Sequence, residues 1–168
     1  MAAMDARAHL LASLDRAYDG RSWHGPNLKG SLRGLTPAVA FFRPGPERHS
    51  VYDLVLHAAY WKYVVRRRLT GEKRGSFALA GSNFFLAPPG TSAREVAAAK
   101  SLLEREHRAL REVVEELPEG AFSARIGRWT AEAVISGAAA HDLYHAGQIQ
   151  LLKRLASPRS QRPAQLRG

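Results

Sequence analysis

The 168-residue sequence contains no cysteine. That excludes disulfides, thiolate metal ligands and a cysteine nucleophile, and it fits a reducing compartment. Acidic residues are scarce beside basic ones, 15 against 25, for a formal net charge of +10. No stretch is long and apolar enough to span a membrane. The opening segment, Met1 to Leu14, carries charges and no long apolar run, unlike a secretory signal. The expectation is a cytoplasmic protein with no membrane partner. No Ser-His-Asp set, phosphate-cradling glycine loop or paired-carboxylate signature stands out.

What is present is a chain rich enough in apolar residues, 45%, to exclude general disorder and to build one core. The expected organisation is a single helical domain over residues 1–157, followed by a basic, flexible tail at 158–168. The positive charge is scattered, with runs at Arg66-Arg67-Arg68 and from Lys153 to Arg167. Arg66 to Arg68 fall at a helix end, where cations favour the dipole. No aromatic-studded nucleic-acid motif accompanies them, so a solvated basic surface is expected. Nucleic acid is not the expected partner, although the charge alone leaves it open.

Four long helices are legible. The first covers about Met4 to Ala17, with Leu10, Leu11, Leu14 and Ala17 inward. Short helices are expected at about Asn27 to Arg33 and, after Thr36-Pro37, through Phe42. Ser50 caps the second long helix, with Asp53 in its first turn and Gly71 beyond its end. The segment from Gly71 to Gly90 is long for a connection and reads as a pocket wall or lid. Ser92-Ala-Arg-Glu95 is a capping box opening the third, whose stripe is Val96, Ala99, Leu103, Leu110, Val113 and Leu117. Thr130 opens the last, which runs to about Ala156. No strand is expected. The fold class is therefore all-α, an up-and-down four-helix bundle with short extra helices and one long loop.

The chemistry concentrates in His141-Asp-Leu-Tyr-His145. Two histidines four apart point the same way from one helix face, a common offer of two nitrogen ligands to one metal ion. From Ala146 to Gly168 there is no His, Asp, Glu or Cys, so a further protein ligand must lie upstream. Asp142 stands where a downstream-ligand metalloprotease would carry its glutamate. His57 is the best upstream candidate, three residues after Leu54 and four before Trp61 on an apolar face. His107 is held in reserve, since Glu104, Arg105, Glu106 and Arg108 around it suggest an exposed or boundary position. A lone inward histidine reads as a core residue bonded to a carbonyl or water. Three together point to a metal.

Other residues are candidates for a pocket beside that centre: Trp23, His24, Tyr60 and Gln148. Gln148, three after His145, is placed to bond substrate or a neighbouring helix. Trp61 and Trp129 are expected in the core, Tyr144 on a different face from its neighbouring ligand, and His9 and His49 at the surface. Gly137, Ala138, Ala139, Ala140, Ala146 and Gly147 make the last helix slim around its histidines. That admits either a close neighbouring helix or a ligand.

The string His141-Asp-Leu-Tyr-His-Ala-Gly-Gln-Ile-Gln-Leu-Leu152, together with Ser50 to Trp61 and its His57, resembles the DinB-like (DinB/YfiT-like) superfamily of metal-dependent four-helix bundles. The turn Trp23-His24-Gly25 and Leu35-Thr36-Pro37-Ala38 look like the family's first-helix region. The resemblance implies a divalent metal, Zn or Ni most often, on His57, His141 and His145. It also implies a homodimer, and a small-molecule substrate handled with a low-molecular-weight thiol such as bacillithiol, mycothiol or glutathione. Three protein ligands leave a coordination position open to water or substrate, the mark of a catalytic site. Because the chain has no cysteine, any thiol must arrive as a cosubstrate. The expected function is a metal-dependent transferase acting with a small thiol. The alternatives are a metal-dependent hydrolase and a non-catalytic metal, ligand or nucleic-acid binder linked to stress.

Overall fold

In the computed structural model, residues 5–85 and 90–157 are described. The tail expected at 158–168 and the Met4 start of the first helix lie outside the described residues.

Among the described residues there are six α-helices: α1 (Ala6–Tyr18), α2 (Leu28–Ser31), α3 (Pro37–Ala40), α4 (Val51–Thr70), α5 (Ala93–Glu116) and α6 (Ala131–Leu155). Their starts are set by side-chain caps. Asp5, Asn27, Thr36, Ser50, Ser92 and Thr130 each accept a hydrogen bond from a free first-turn N–H. Ser50 and Asp53 close a reciprocal capping box, and Arg43 ties Asp53 to the preceding loop. Gly71 ends α4 at φ 76°, a left-handed conformation that costs glycine little. At the end of α6, Lys153 donates to the carbonyls of Ser31 and Arg33 and thereby closes α2. Lys153 thus lies in the last helix, as its expected run to about Ala156 implied.

The long helices pack in a cycle: α4 on α5, α5 on α1, α1 on α6, α6 on α4. Apolar residues fill this arrangement in two clusters. One holds Val51, Leu54, Val55, Leu103 and Ile149. The other holds Leu10, Leu14, Leu110, Val114 and Ile135. On α5 the buried stripe turns through Leu103, His107, Leu110 and Val114, while Val113 and Leu117, expected inward, are half-buried.

Between the two clusters, at the level of Lys62 on α4, His107 on α5 and Asp142 on α6, the core is polar. Lys62 and Asp142 are 2% and 1% exposed, and Lys62 Nζ donates to Asp142 Oδ2 at 2.5 Å. His107, 5% exposed, stacks on Tyr18 with ring centroids 3.8 Å apart and accepts from Lys62 at Nδ1, 3.3 Å away. This overturns the expectation of a boundary position for His107. The charged neighbours that suggested it point outward with one exception, the buried Glu106.

One further difference is a minimal antiparallel hairpin where no strand was expected, β1 (Arg125–Ile126) pairing with β2 (Trp129–Thr130). Gly127, at φ 65°, takes the first position of its two-residue loop. The hairpin leaves Trp129 57% exposed, so Trp129 is not a core residue.

Among the described residues, no helix is long and apolar enough to cross a membrane.

Candidate metal centre

His57 lies in the second turn of α4, and His141 and His145 lie one turn apart on α6. Packing of the two helices brings the three rings together. Nε2 of His141 is 3.2 Å from Nε2 of His57 and 3.0 Å from Nε2 of His145. One ligand nitrogen from each lies within 4.8 Å of the other two. Nitrogens held around a tetrahedral zinc stand about 3.3 Å apart, given typical Zn–N bonds. The observed spacing fits such an ion.

The outer nitrogens fix the tautomers. Nδ1 of His57 lies 3.0 Å from the backbone carbonyl of Asn83, which can only accept, so Nδ1 carries the proton and donates it. Nδ1 of His145 donates likewise to Oε1 of Gln148 at 2.7 Å. Both neutral rings therefore present a lone pair at Nε2, toward His141. A neutral His141 has one ring proton and cannot satisfy both.

Protonation does not relieve this crowding. Burial holds all three imidazoles below the ordinary histidine range. His141 is lowered to about 3, by burial first and then by His145 and His57. His145 is lowered to about 4, with its bond to Gln148 opposing. Burial lowers His57 too, against the bond to Asn83. Three converging nitrogens, with the outer N–H groups of His57 and His145 already spent on acceptors, form a donor set suited to a divalent cation.

Asn83 was not singled out from the sequence. It is the non-glycine residue with positive φ among the described residues, at 64°, in the long loop after α4. Asparagine tolerates that conformation better than most residues. Its carbonyl holds His57, and its Oδ1 accepts from Trp61 Nε1 at 3.0 Å. Phe84 stacks on His57 with centroids 4.3 Å apart, and on His49 at 3.7 Å. The loop thus covers the His57 side of the centre. Its length was legible as a pocket wall, but the residue reaching the site depends on tertiary packing.

Of the candidate pocket residues, Gln148 reaches the centre through His145. Tyr60 joins an aromatic cluster under the same loop, edge-on to Phe77 and Phe85. Trp23 and His24 pair edge to face with each other in the loop between α1 and α2, and Trp23 is 96% exposed. Among the described contacts neither touches the triad. Trp61, expected in the core, is half-buried and sits edge-on to both His57 and His141. Tyr144 is exposed and faces away from the core, as expected from its place beside His145. Asp142 is bonded to Lys62, and burial pushes its carboxyl up while Lys62 pulls it back. His107, the reserve ligand, is held to about 3 by burial and by Lys62.

The sequence model of the DinB superfamily matches residues 22–149, a span that includes all three histidines. No curated protein matches the chain, and no solved structure does.

Proposed function

The chain belongs to the DinB superfamily, and from that premise we propose that it is a metal-dependent transferase acting with a low-molecular-weight thiol. The observation that carries this reading is the convergence of three buried histidine nitrogens, two of them with tautomers set by Asn83 and Gln148. His57, His141 and His145 would hold one divalent ion, zinc or nickel. Such an ion supplies a Lewis acid with an open coordination position, where a thiol gives up its proton more readily. The chain contains no cysteine, so the thiol comes from solution. Around that position the protein's own contribution is orientation and dryness. Asn83 and Gln148 hold the rings, and Phe84 and Trp61 shield them with aromatic surface.

The cyclic packing of α1, α6, α4 and α5 supports the reading of the chain as one up-and-down four-helix bundle. A homodimer is part of the same reading. Tyr144 and Leu151 are exposed on α6, with Ala140 and Gly147 exposed at three- and four-residue spacing along the same stripe. That slim, apolar stripe would accept a second copy of α6. Light scattering at micromolar concentration should give twice the chain mass, and a persistent monomer would remove this part of the reading.

The test of the chemistry uses cobalt-substituted protein. A small thiol at millimolar concentration should produce an intense ultraviolet thiolate charge-transfer band, and turnover of an electrophile should require both metal and thiol. If no thiol perturbs the spectrum while an activated ester is hydrolysed only with metal present, the protein is a hydrolase. If neither occurs, it is a metal-binding protein without this catalysis.

A further inference from the structure

A cavity of about 390 Å³ lies between α4 and α6, and His141 of the histidine cluster forms part of its lining. Its size falls within the range of small-molecule sites. Trp61, Val65 and Arg68 border it at helical spacing from α4, and Val134, Ala138 and His141 from α6. The contacts of the two helices run in opposite senses. His57 meets His141, Lys62 meets Asp142, and Val65 shares a cluster with Ile135 and Ala138. His141 and Trp61 therefore mark one end of the cavity, and Arg68, Val134 and Trp129 the other. Seven residues of helix separate Trp61 from Arg68, a rise of about 10 Å.

Two features of this cavity lack an explanation within the folded chain. Trp129 borders it and is 57% exposed, a large apolar ring on a hairpin beside an apolar space. Arg68 is exposed and has no hydrogen-bond or ion-pair partner among the described residues. Its neighbours differ, since Arg66 is paired to Glu72 and Arg67 donates to the Glu72 carbonyl. Lys62 and Asp142 also border the cavity, but they are bonded to each other and almost wholly buried. Arg68 is left as the unneutralised charge of the wall.

We infer that this cavity binds the substrate of the histidine centre, and that the substrate is an elongated apolar, typically aromatic, carboxylate. Its anion pairs with Arg68, its body lies between Trp61 and Trp129, and its far end reaches His141. Arginine matches a carboxylate fork to fork, and the indole rings offer flat apolar faces. The inference rests on the metal-centre reading for the role of the His141 end, but the binding itself does not require the metal.

The test is therefore run on metal-free protein, with biphenyl-4-carboxylate and its neutral isostere biphenyl-4-methanol as probes, followed by calorimetry or tryptophan fluorescence. The carboxylate should bind more tightly. Arg68→Gln should weaken it about tenfold, a typical loss for one charge-assisted pair, and leave the alcohol unchanged. Gly137→Leu should abolish binding of both probes. Gly137 borders the cavity, and a Cβ added there meets no atom within 4 Å, so the new side chain fills space without disturbing the helix. Melting of both variants at or above the parent's temperature verifies that the fold is intact. If Gly137→Leu leaves binding intact, the cavity is not the site. If Arg68→Gln affects acid and alcohol alike, the substrate is not selected for its anion. A parallel cobalt titration separates the two readings. If the parent protein binds neither probe while its cobalt site is intact, this inference alone is overturned; if it binds the probes but no cobalt, the metal centre alone is overturned.

Discussion

The Nδ1–H of His57 donates to the backbone carbonyl of Asn83, 26 residues later in the chain and 3.0 Å away. A helix residue is thereby oriented by a loop residue in the left-handed conformation, and the same loop residue anchors Trp61. The centre depends on a loop that the helices alone do not place.

Asn83→Ala should therefore weaken metal binding without removing it. Alanine loses the bond to Trp61 and resists φ 64°, at a cost of about 1–2 kcal/mol. The carbonyl that orients His57 then shifts. Losing an outer partner of a ligating histidine lowers metal affinity about 10–100-fold. Asn83→Gly, which keeps the conformation, should lose less. A competition titration with a chromophoric chelator measures both, and equal affinity in Asn83→Ala and the parent would refute the positioning role.

The buried Lys62–Asp142 pair gives a second expectation. Lys62→Met leaves a carboxylate side chain that is 1% exposed, with Oδ1 already lacking a partner. Breaking such a pair from one side costs about 3–5 kcal/mol, whereas replacing both members by apolar residues is often near neutral. In urea unfolding, Lys62→Met should be strongly destabilised and Lys62→Met/Asp142→Leu should recover most of the loss. Equal destabilisation of the single and double variants would show that the pair matters through shape alone.

Much of the fold was legible because caps are local. The Ser50–Asp53 and Ser92–Glu95 boxes and the Thr130 cap stand in the sequence as they stand in the structure, and they set three helix starts. The spacing of His141 and His145 is likewise a property of one helix. What was misread depended on partners. His107 follows Leu103 and precedes Leu110 on the buried stripe, yet its charged neighbours suggested the surface, because the Lys62 and Tyr18 that satisfy it come from other helices. Trp129 was expected in the core, but a two-residue strand pairing holds it out. Asn83 gave no local sign beyond its tolerance for positive φ.

The lowered histidine pKa values set a pH dependence for the metal-free protein. In the unfolded chain these imidazoles take up protons near pH 6.5. In the folded protein His145 waits until about 4, and His141 and His107 until about 3. Between those limits the unfolded state binds more protons, so stability falls as pH falls. The urea midpoint should be steady from pH 8 to 7 and drop between pH 6.5 and 4. A midpoint that does not change over that window would contradict the buried, neutral state assigned to these rings. Bound metal should be lost over the same window, because protons compete for the ligand nitrogens.

The metal should not be needed for folding itself. Two apolar clusters drawn from all four long helices contain none of the three histidines and should suffice for a core. Chelator-treated protein should keep its helical circular dichroism and melt at a lower temperature. A coil spectrum after chelation would make the centre structural.

The most direct measurement is cobalt(II) titration of the untagged, metal-free protein, followed in the visible region, beside the His57→Ala, His141→Ala, His145→Ala and His107→Ala variants. The expected result is one equivalent bound with intense bands of low coordination number. Those bands should be lost in each of the first three variants and retained in His107→Ala. Saturable binding that survives the loss of His57, His141 or His145, or no binding by the parent protein, would contradict a metal centre built on these three histidines.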